Sequence, residues 1–309
     1  MKSNARQPLG IPGENALGRG IVTSRFDMSI LYSSICDHWK YRGDISALDQ
    51  DLSRRGVDPR NPRITDLAAA DQLHVGGLDS IIAFADWVGM QPGMRVLDLG
   101  SGLGGPARYL AADRGATVTA VELVPELHAT AVELTARTGL EGRVLHVCME
   151  IAALTPTGEY DLVWLEHADM HVPDKRGLYD RARASLATGG RIVWHDWLAG
   201  PGGAPRWPLF WSADGAISFL SSEETFAADL AASRLERRRF EPIPGATAEW
   251  LTRSRRALSA ALAKAEGASA PDAARAARLR ALLTETENAL ASIEERRLVP
   301  FFAEAAPHR

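Results

Sequence analysis

The stretch Val96-Leu-Asp-Leu-Gly-Ser-Gly-Leu-Gly-Gly-Pro-Ala-Arg-Tyr-Leu110 decides the fold of this chain. Its first four residues, Val96 to Leu99, form a short and largely apolar run that is typical of a buried strand. The glycines that follow predict a tight turn at which a ligand can approach the backbone, and residues 107–112 continue as a helix. A strand, a glycine turn and a helix N-terminus together predict a corner whose free N–H groups point at a nucleotide-like ligand.

Asp98, two residues before the first glycine, narrows the class of ligand. The spacing Gly100-x-Gly102-x-x-Gly105 matches the fingerprint of dinucleotide sites, but a carboxylate at position 98 would repel a pyrophosphate. It suits a ligand with a positive amine and no phosphate, such as S-adenosylmethionine. The segment resembles the class I S-adenosylmethionine-dependent methyltransferases, whose motif is filled here by Asp98, Gly100, Gly102 and Gly104. A glycine turn without a ligand is the alternative interpretation.

The composition is that of a soluble globular protein. The 309 residues are 46% hydrophobic with a net charge of −4, which indicates no general affinity for nucleic acid. No apolar run approaches the ~20 residues of a membrane span, and the N-terminal residues lack the apolar core of a signal peptide. Cys36 and Cys148 are expected to be reduced packing residues, in a predicted helix and a predicted core strand. These features predict a cytoplasmic enzyme with a small-molecule substrate. The sequence does not decide whether the chain forms a homodimer.

The resemblance implies a doubly wound, seven-stranded Rossmann-like α/β sheet with helical lids. It predicts an N-terminal helical lid at residues 1–63 and a cofactor-binding core at 64–246, with a lid insertion at about 199–227. Residues 247–309 are expected to form a helical insertion and the last strand.

Apolar runs place the other strands of this sheet at 117–121, 143–147, 160–165, 191–195, 235–242 and 298–303. A helix is expected from Asp174 to Leu186, ended by Gly189-Gly190, and Asp196 is expected to leave the fifth strand. Pro300 is expected to confine the last strand to an edge or a bulge, because proline cannot donate to a sheet ladder.

Acidic residues at the ends of the second and third strands complete the predicted cofactor site. A carboxylate at Glu122 can accept both ribose hydroxyl protons. The resemblance implies that Glu150 accepts a hydrogen bond from the adenine and that Met149 lies against its ring. It also implies that Gln72 and His74 close over the methionine end. The predicted cofactor-binding residues are Gln72, His74, Asp98, Gly100, Gly102, Gly104, Glu122, Leu123, Met149, Glu150, Glu166 and His167.

The loop after the fourth strand, residues 166–171, carries the predicted chemistry. The resemblance is continued there by Glu166, His167, Met170, Asp174 and Lys175. Ligands of doubly wound sheets lie at this edge, and a histidine can act as a base near neutral pH. The candidate catalytic residues are His171, His167, His195, Asp196 and Asp169.

Among these candidates, His171 is predicted to be the base or to orient the substrate, with Asp196 or Asp169 orienting its ring. For His195, a core histidine with one hydrogen bond is at least as good an interpretation as a catalytic one. The spacing of histidines and cysteines contains no metal motif, so no obligatory metal is expected. An acidic pair with a histidine could still bind a divalent ion.

Two groups of aromatic residues are candidates for covering the substrate. Tyr32 and Trp39 are either core aromatics or rings of an N-terminal helix, residues 28–39, that face the substrate; Ile30 is expected on the same apolar face. In the insertion, at least two of five aromatic residues are expected to face a pocket. They are Trp207, Phe210, Trp211, Phe219 and Phe226.

The resulting functional hypothesis is a methyltransferase that acts on N, O or C of a small molecule, with S-adenosylmethionine as cofactor, in specialised metabolism. One alternative is an NAD-dependent oxidoreductase, which Asp98 and Glu150 disfavour. A second is a protein that binds the cofactor without transferring methyl. A third is an enzyme of the same fold that catalyses a rearrangement or cyclisation, and the cofactor motif cannot distinguish it.

Overall fold

The computed structural model describes residues 28–267 and 272–308, and its centre is one sheet. The strands of this sheet are β1 (Arg95–Leu99), β2 (Thr117–Glu122), β3 (Val144–Cys148), β4 (Tyr160–Glu166), β5 (Leu186–Ala199), β6 (Leu235–Pro242) and β7 (Leu298–Pro307).

The strands lie in the order β3-β2-β1-β4-β5-β7-β6. Strands β1 to β5 pair in parallel, and β7 is antiparallel to both β5 and β6. The chain changes direction across the sheet between β1 and β4, and ligands of doubly wound sheets bind at the carboxyl ends of the strands at such a point. The predicted seven-stranded α/β sheet is confirmed. The division into lid, core and insertion stays a prediction, and residues 1–27 of the predicted lid lie outside the described residues.

Helices cover both faces of the sheet. In the described part of the chain they are α1 (Met28–Trp39), α2 (Ile45–Arg54), α3 (Ile64–Asp71), α4 (Gly77–Val88), α5 (Gly105–Asp113), α6 (Pro125–Arg137), α7 (Lys175–Ser185), α8 (Glu223–Ala232), α9 (Pro244–Glu266) and α10 (Ala273–Glu294). None of these helices combines the length and the apolar composition needed to cross a bilayer.

Strand β4 shows why this segment is buried on both sides. Its residues alternate between two apolar clusters: Val163 packs with the cluster that contains Trp194 and Phe226, whereas Trp164 packs with the cluster that contains Phe84. A strand covered by helices on both faces is a nearly continuous apolar run, as this one is in the sequence. The two clusters fix the sheet whose carboxyl edge carries the site.

The fifth strand extends at both ends beyond the predicted residues 191–195. Helix α7 ends at Ser185, and Gly189 and Gly190 lie inside β5 instead of ending a helix. The register with β4 shifts after Tyr160, which leaves room for the additional residues as a bulge. At the other end, Asp196 stays in the strand because β5 continues to pair with β7 as far as Ala199.

The last strand is central rather than confined to an edge, so the expectation for Pro300 is wrong. β7 pairs with β5 on one side and with β6 on the other. The carbonyl of Pro300 accepts a hydrogen bond from the N–H of Ile243, just beyond the last β6 pair, Pro242 with Phe301. The proline nitrogen therefore points past the end of β6, where no ladder partner is lost.

The aromatic residues of the insertion after β5 are distributed over three apolar clusters, which they share with the helices and strands around them. Trp207, Phe210 and Trp211 belong to a third apolar cluster, and Phe226 belongs to the core under β5. Phe219 packs with Leu31 and Ile35 of α1. Two further packing expectations are wrong: Ile30 points outward with 64% of its surface exposed, and Cys148 at the end of β3 is exposed. Both cysteines are unpaired, as expected.

Candidate active site

A cavity of about 440 Å³ lies at the carboxyl ends of β1, β2, β3 and β4. Its walls come from the glycine turn after β1 and the loops after the other three strands. Helix α1 closes it through Met28, Tyr32, Ile35 and Trp39, which share one helical face. Tyr32 and Trp39 line the cavity and also pack against the apolar clusters beside it, so their role in facing the substrate stays a prediction. No side chain of the five insertion aromatics lines this cavity, so that expectation is wrong.

The glycine turn brings the backbone to the cavity wall. The N–H groups of Gly100 and Ser101 both donate to the carbonyl of Val121, which ties the turn to β2. Gly100 has φ +83°, and a Cβ there would lie 2.5 Å from the Cβ of Ala168. Only glycine fits such a position. Gly100 and Gly102 line the cavity, whereas Gly104 lies behind them at the start of α5.

Glu122 is held at the edge of the cavity by the backbone. Its Oε2 accepts the N–H of Gly102 at 2.7 Å, and its Oε1 accepts the N–H of Val124 at 2.8 Å. Each carboxylate oxygen has a second lone pair, so both remain able to accept a ligand hydroxyl. Burial raises the pKa of Glu122, and the backbone N–H groups oppose that shift. Leu123 lines the cavity next to it.

Asp98 is the buried acid that a cationic ligand would neutralise. It lines the cavity, and its Oδ2 has no hydrogen-bond partner among the described residues. Burial, with the nearby charges of Glu166 and Glu122, raises its pKa well above the usual range. A positive amine at this oxygen would supply the missing partner and restore the ionised form. The residues therefore fit the ammonium end of S-adenosylmethionine.

Only one of the two cofactor-binding residues predicted directly after the third strand lies at the cavity. Glu150 lines it, but Met149 packs against the core under β4 and β5. The apolar neighbours of Glu150 at the wall are Ile151 and Ala152, in a short 3₁₀ turn directly after it. Met149 does not line the cavity, because the chain turns after β3 and presents the next residues there, and its contact with the adenine ring stays a prediction.

The segment before α4 contributes a histidine and its support. His74 lines the cavity, whereas Gln72 does not. The side chain of Gln72 lies between Asp71 and His74: its Nε2 donates to Asp71 Oδ1 at 3.0 Å, and its Oε1 lies 2.9 Å from His74 Nε2. Asp71 is in turn paired with the buried guanidinium of Arg108 at 2.8 Å. Gln72 thus positions His74 rather than contacting the cavity.

Glu166 and His167 both reach the cavity at the end of β4. Glu166 Oε1 lies 2.7 Å from Nδ1 of His195, and its Oε2 accepts from the indole of Trp164 at 2.9 Å. His167 adopts φ 50°, and its N–H donates to the carbonyl of His195. His195 itself is buried behind Glu166 and does not line the cavity, which agrees with the core interpretation.

His171 lines the cavity with both ring nitrogens engaged. Its Nδ1 lies 2.8 Å from the carbonyl oxygen of Ile217, so Nδ1 carries the proton. Its Nε2 accepts from the indole N–H of Trp39 at 3.3 Å. Burial lowers the pKa of His171 to about 4, so the ring is neutral near pH 7. Sequence reasoning missed the role of Ile217, because a backbone carbonyl leaves no signal in the sequence.

The two carboxylates that were expected to orient His171 bond elsewhere. Asp169 Oδ2 accepts from the hydroxyl of Tyr179 at 2.6 Å, and Lys175 lies 2.5 Å from Oδ1. Asp196 accepts the N–H groups of Asp169 and Trp197. Burial and the neighbouring charge of Asp169 raise the pKa of Asp196. Neither acid lines the cavity, so their predicted orientation of His171 is wrong.

Acidic side chains outnumber basic ones in the cavity wall, although Arg108 behind the wall pairs with Asp71 and burial raises the pKa of Asp98. Among the described residues that line the cavity, one arginine, Arg181, faces six acidic side chains. These are Asp71, Asp98, Glu122, Glu150, Glu166 and Asp174. Such a wall favours a cationic ligand and disfavours phosphates. Arg181 was not singled out from the sequence, since one arginine on an amphipathic helix resembles any solvated one.

Known proteins share this sequence pattern and this fold. A family model described as a methyltransferase domain matches residues 77–236. The 2-methyl-6-phytyl-1,4-hydroquinone methyltransferase of Synechocystis is 34% identical over 123 residues, which cover 39% of this chain and 38% of that protein.

Solved structures extend the likeness to most of the chain. Phosphoethanolamine N-methyltransferase 2 of Haemonchus contortus, in complex with phosphomonomethylethanolamine and S-adenosylhomocysteine, superposes with a TM-score of 0.70 at 18% identity. The superposition covers 90% of this chain and 60% of the Haemonchus protein. The [4+2]-cyclase SpnF has a TM-score of 0.58 at 19% identity, over 74% of this chain and 80% of its own. At these identities the likeness concerns the fold, and the chain spans less than two thirds of the first two relatives.

Proposed function

The chain belongs to the methyltransferase domain family, and we propose that it transfers the methyl group of S-adenosylmethionine to a small organic molecule. The family predicted from the glycine turn is confirmed by the match over residues 77–236. S-adenosylmethionine, the cofactor that the sequence analysis expected, is the methyl donor of that family.

The anionic wall of the cavity carries the proposal. S-adenosylmethionine supplies an electrophilic methyl group on a sulfonium and also has a positive ammonium. Asp98 has a buried oxygen without a partner, and Glu122 has free lone pairs at the edge of the same cavity. A pyrophosphate would meet six acids and one arginine, which disfavours a nicotinamide cofactor.

The residues of the chain align the acceptor and exclude water from it. Tyr32 and Trp39 cover the cavity from α1, and closing such a site strengthens its electrostatic interactions. Aligning two reactants can by itself contribute most of a rate enhancement. Where the acceptor carries a proton, Nε2 of neutral His171 accepts its hydrogen bond in place of the Trp39 indole.

The acceptor class that fits this cavity is apolar or cationic. Besides the acids, the lining contains Ile35, Val172 and Leu178 with the rings of Tyr32 and Trp39. Rings supply apolar area and can bind a cation on their faces. The single arginine makes a diphosphate acceptor a poor fit.

The test combines calorimetry with turnover. The purified protein should bind S-adenosylmethionine, and NADH should show no binding. With a panel of apolar and cationic acceptors, S-adenosylhomocysteine should accumulate with the methylated product. Cofactor binding with product but without S-adenosylhomocysteine would overturn methyl transfer and indicate a rearrangement or cyclisation. No cofactor binding would overturn the site.

The cellular setting is part of the same proposal. Both cysteines of the chain are unpaired, which supports a reducing compartment such as the cytoplasm.

Analytical ultracentrifugation at several protein concentrations would decide whether the chain forms a homodimer.

A further inference from the structure

A buried cluster of His74, Glu166 and His195 lies at the inner wall of the cavity. The three residues come from the segment before α4, the end of β4 and the middle of β5, and one donor atom of each lies within 4.8 Å of the others. Each residue is at least nine-tenths buried. His74 and Glu166 line the cavity, and His195 lies behind them.

Hydrogen bonds determine which nitrogen of His74 carries its proton. Gln72 Nε2 donates to the carboxylate of Asp71, which fixes the amide so that its Oε1 faces His74 Nε2 at 2.9 Å. An amide oxygen only accepts, so Nε2 of His74 must be the donor. The other nitrogen, Nδ1, therefore holds a lone pair.

That lone pair points at other acceptors. Nδ1 of His74 lies 3.5 Å from Oε1 of Glu166 and 3.3 Å from the carbonyl oxygen of Val75. The hydroxyl of Ser80 lies 3.4 Å away, but the carbonyl of Gly77 takes its proton at 2.8 Å. Buried acceptors that face one another without a donor are unfavourable, and a cation between them removes the conflict.

We propose that this cluster binds one divalent first-row transition metal ion. Its ligands are Nδ1 of His74, Oε1 of Glu166 and Nδ1 of His195, where the ion replaces the 2.7 Å hydrogen bond between the last two. Two imidazoles and one carboxylate with open positions are typical of non-haem Fe(II), and nitrogen ligands disfavour Mg²⁺.

Neighbouring groups already hold the ligands as metal sites require. The indole of Trp164 donates to Oε2 of Glu166 at 2.9 Å, which directs Oε1 toward the two imidazoles. Gln72 Oε1 accepts from Nε2 of His74 and so leaves Nδ1 free to bind the ion. Hydrogen bonds of this kind orient ligands and tune affinity in metal sites. Since two of the three ligands line the cavity, the ion is accessible from it, and an oxygen of the acceptor is the class of ligand that would complete its coordination.

The test uses Co²⁺ and Fe²⁺ with metal-stripped, folded protein. We expect one equivalent of Co²⁺ per chain, seen as visible absorption bands, competition by Fe²⁺ and no competition by Mg²⁺. Glu166→Gln and His195→Asn should each weaken Co²⁺ binding by at least ~10–100-fold. The control is His146→Asn, because His146 is a partly buried histidine that bonds to Thr135 and lies outside the cluster. It should bind Co²⁺ as the wild type does.

Three results would overturn the inference: no stoichiometric uptake by the wild type, unchanged affinity in both cluster variants, or equal loss in the control. Should a cluster variant fail to fold, proton NMR of the Co²⁺-loaded wild type decides. Two hyperfine-shifted exchangeable ring N–H signals are expected, one from each histidine, and fewer than two contradict the site. Calorimetry with S-adenosylmethionine on the metal-stripped protein tests the proposed function separately.

Discussion

The indole Nε1 of Trp39 donates a hydrogen bond to Nε2 of His171 at 3.3 Å, and this contact joins the helix that covers the cavity to the loop after β4. The same imidazole donates from Nδ1 to the carbonyl of Ile217 in the insertion. One ring thus ties three segments together at the cavity. An acceptor hydroxyl that reaches Nε2 must displace the indole N–H.

We expect His171→Ala to lower kcat by ~10²–10⁴-fold, the range of a general base, with nearly unchanged affinity for S-adenosylmethionine. Steady-state kinetics and calorimetry measure the two effects. His146→Ala serves as the control, since it removes a histidine away from the cavity. A fall in kcat of less than about threefold would mean that alignment alone drives the reaction.

Trp39→Phe tests the coupling between helix and loop. The variant keeps an aromatic ring but loses the indole N–H. Amide hydrogen exchange in Met28–Trp39 should therefore become faster, by the factor that corresponds to the ~0.5–1.5 kcal/mol of a single hydrogen bond.

In the wild type, cofactor and acceptor together should protect this helix and residues 200–225 from hydrogen exchange. Equal exchange in the free and fully bound states would exclude a gating role.

His171 should also make stability depend on pH. Its pKa in the folded protein is about 4, below the ordinary value of 6.5, because the ring is buried. The unfolded chain therefore binds more protons between those values, and stability falls as the pH falls. From pH 7 to pH 5 the loss from this residue is about 2 kcal/mol. Urea unfolding at both pH values should show a smaller loss in His171→Gln, and an identical loss would contradict the assignment.

Asp98→Asn and Glu122→Gln should each weaken binding of S-adenosylmethionine by at least ~1.5 kcal/mol, the scale of a charge-assisted hydrogen bond. Both changes keep the size of the side chain. Glu141→Gln is the matched control, because Glu141 is exposed and lies outside the cavity lining. Calorimetry that finds unchanged affinity in both variants would show that the cofactor lies elsewhere.

Gly100→Ala should disturb the turn more than Gly139→Ala does. Both glycines have positive φ, so both variants carry the same kind of backbone strain. Only at Gly100 would the new Cβ meet another atom, Ala168 Cβ at 2.5 Å, whereas nothing lies within 4 Å at Gly139. We expect a lower Tm and weaker cofactor binding for Gly100→Ala. Equal effects in the two variants would show that strain alone matters.

The sequence predicts the parts of this molecule that depend on local patterns. The turn at Gly100 and the acid Glu122 follow from residue spacing and the strands from apolar runs, whereas the seven-stranded sheet is what the family resemblance implies. The structure brings the predicted cofactor residues together, except for Gln72, Gly104 and Met149. Contacts between segments that lie far apart in the chain could not be predicted from the sequence. The partners of His171 come from positions 39 and 217, and the cluster of His74, Glu166 and His195 joins three distant segments, so no spacing along the chain reveals them.

Strand β7 has a consequence for the order in which the protein can assemble. It lies between β5 and β6, yet more than fifty residues separate it in the chain from the end of β6. A ribosome that adds about 5–20 residues per second needs several seconds to deliver it, and until then the pairing edge of β6 is open. Nascent chains of this protein therefore pass through a stage in which β5 and β6 both lack the strand that pairs between them, and Phe302 is not yet in place against His195 behind the site.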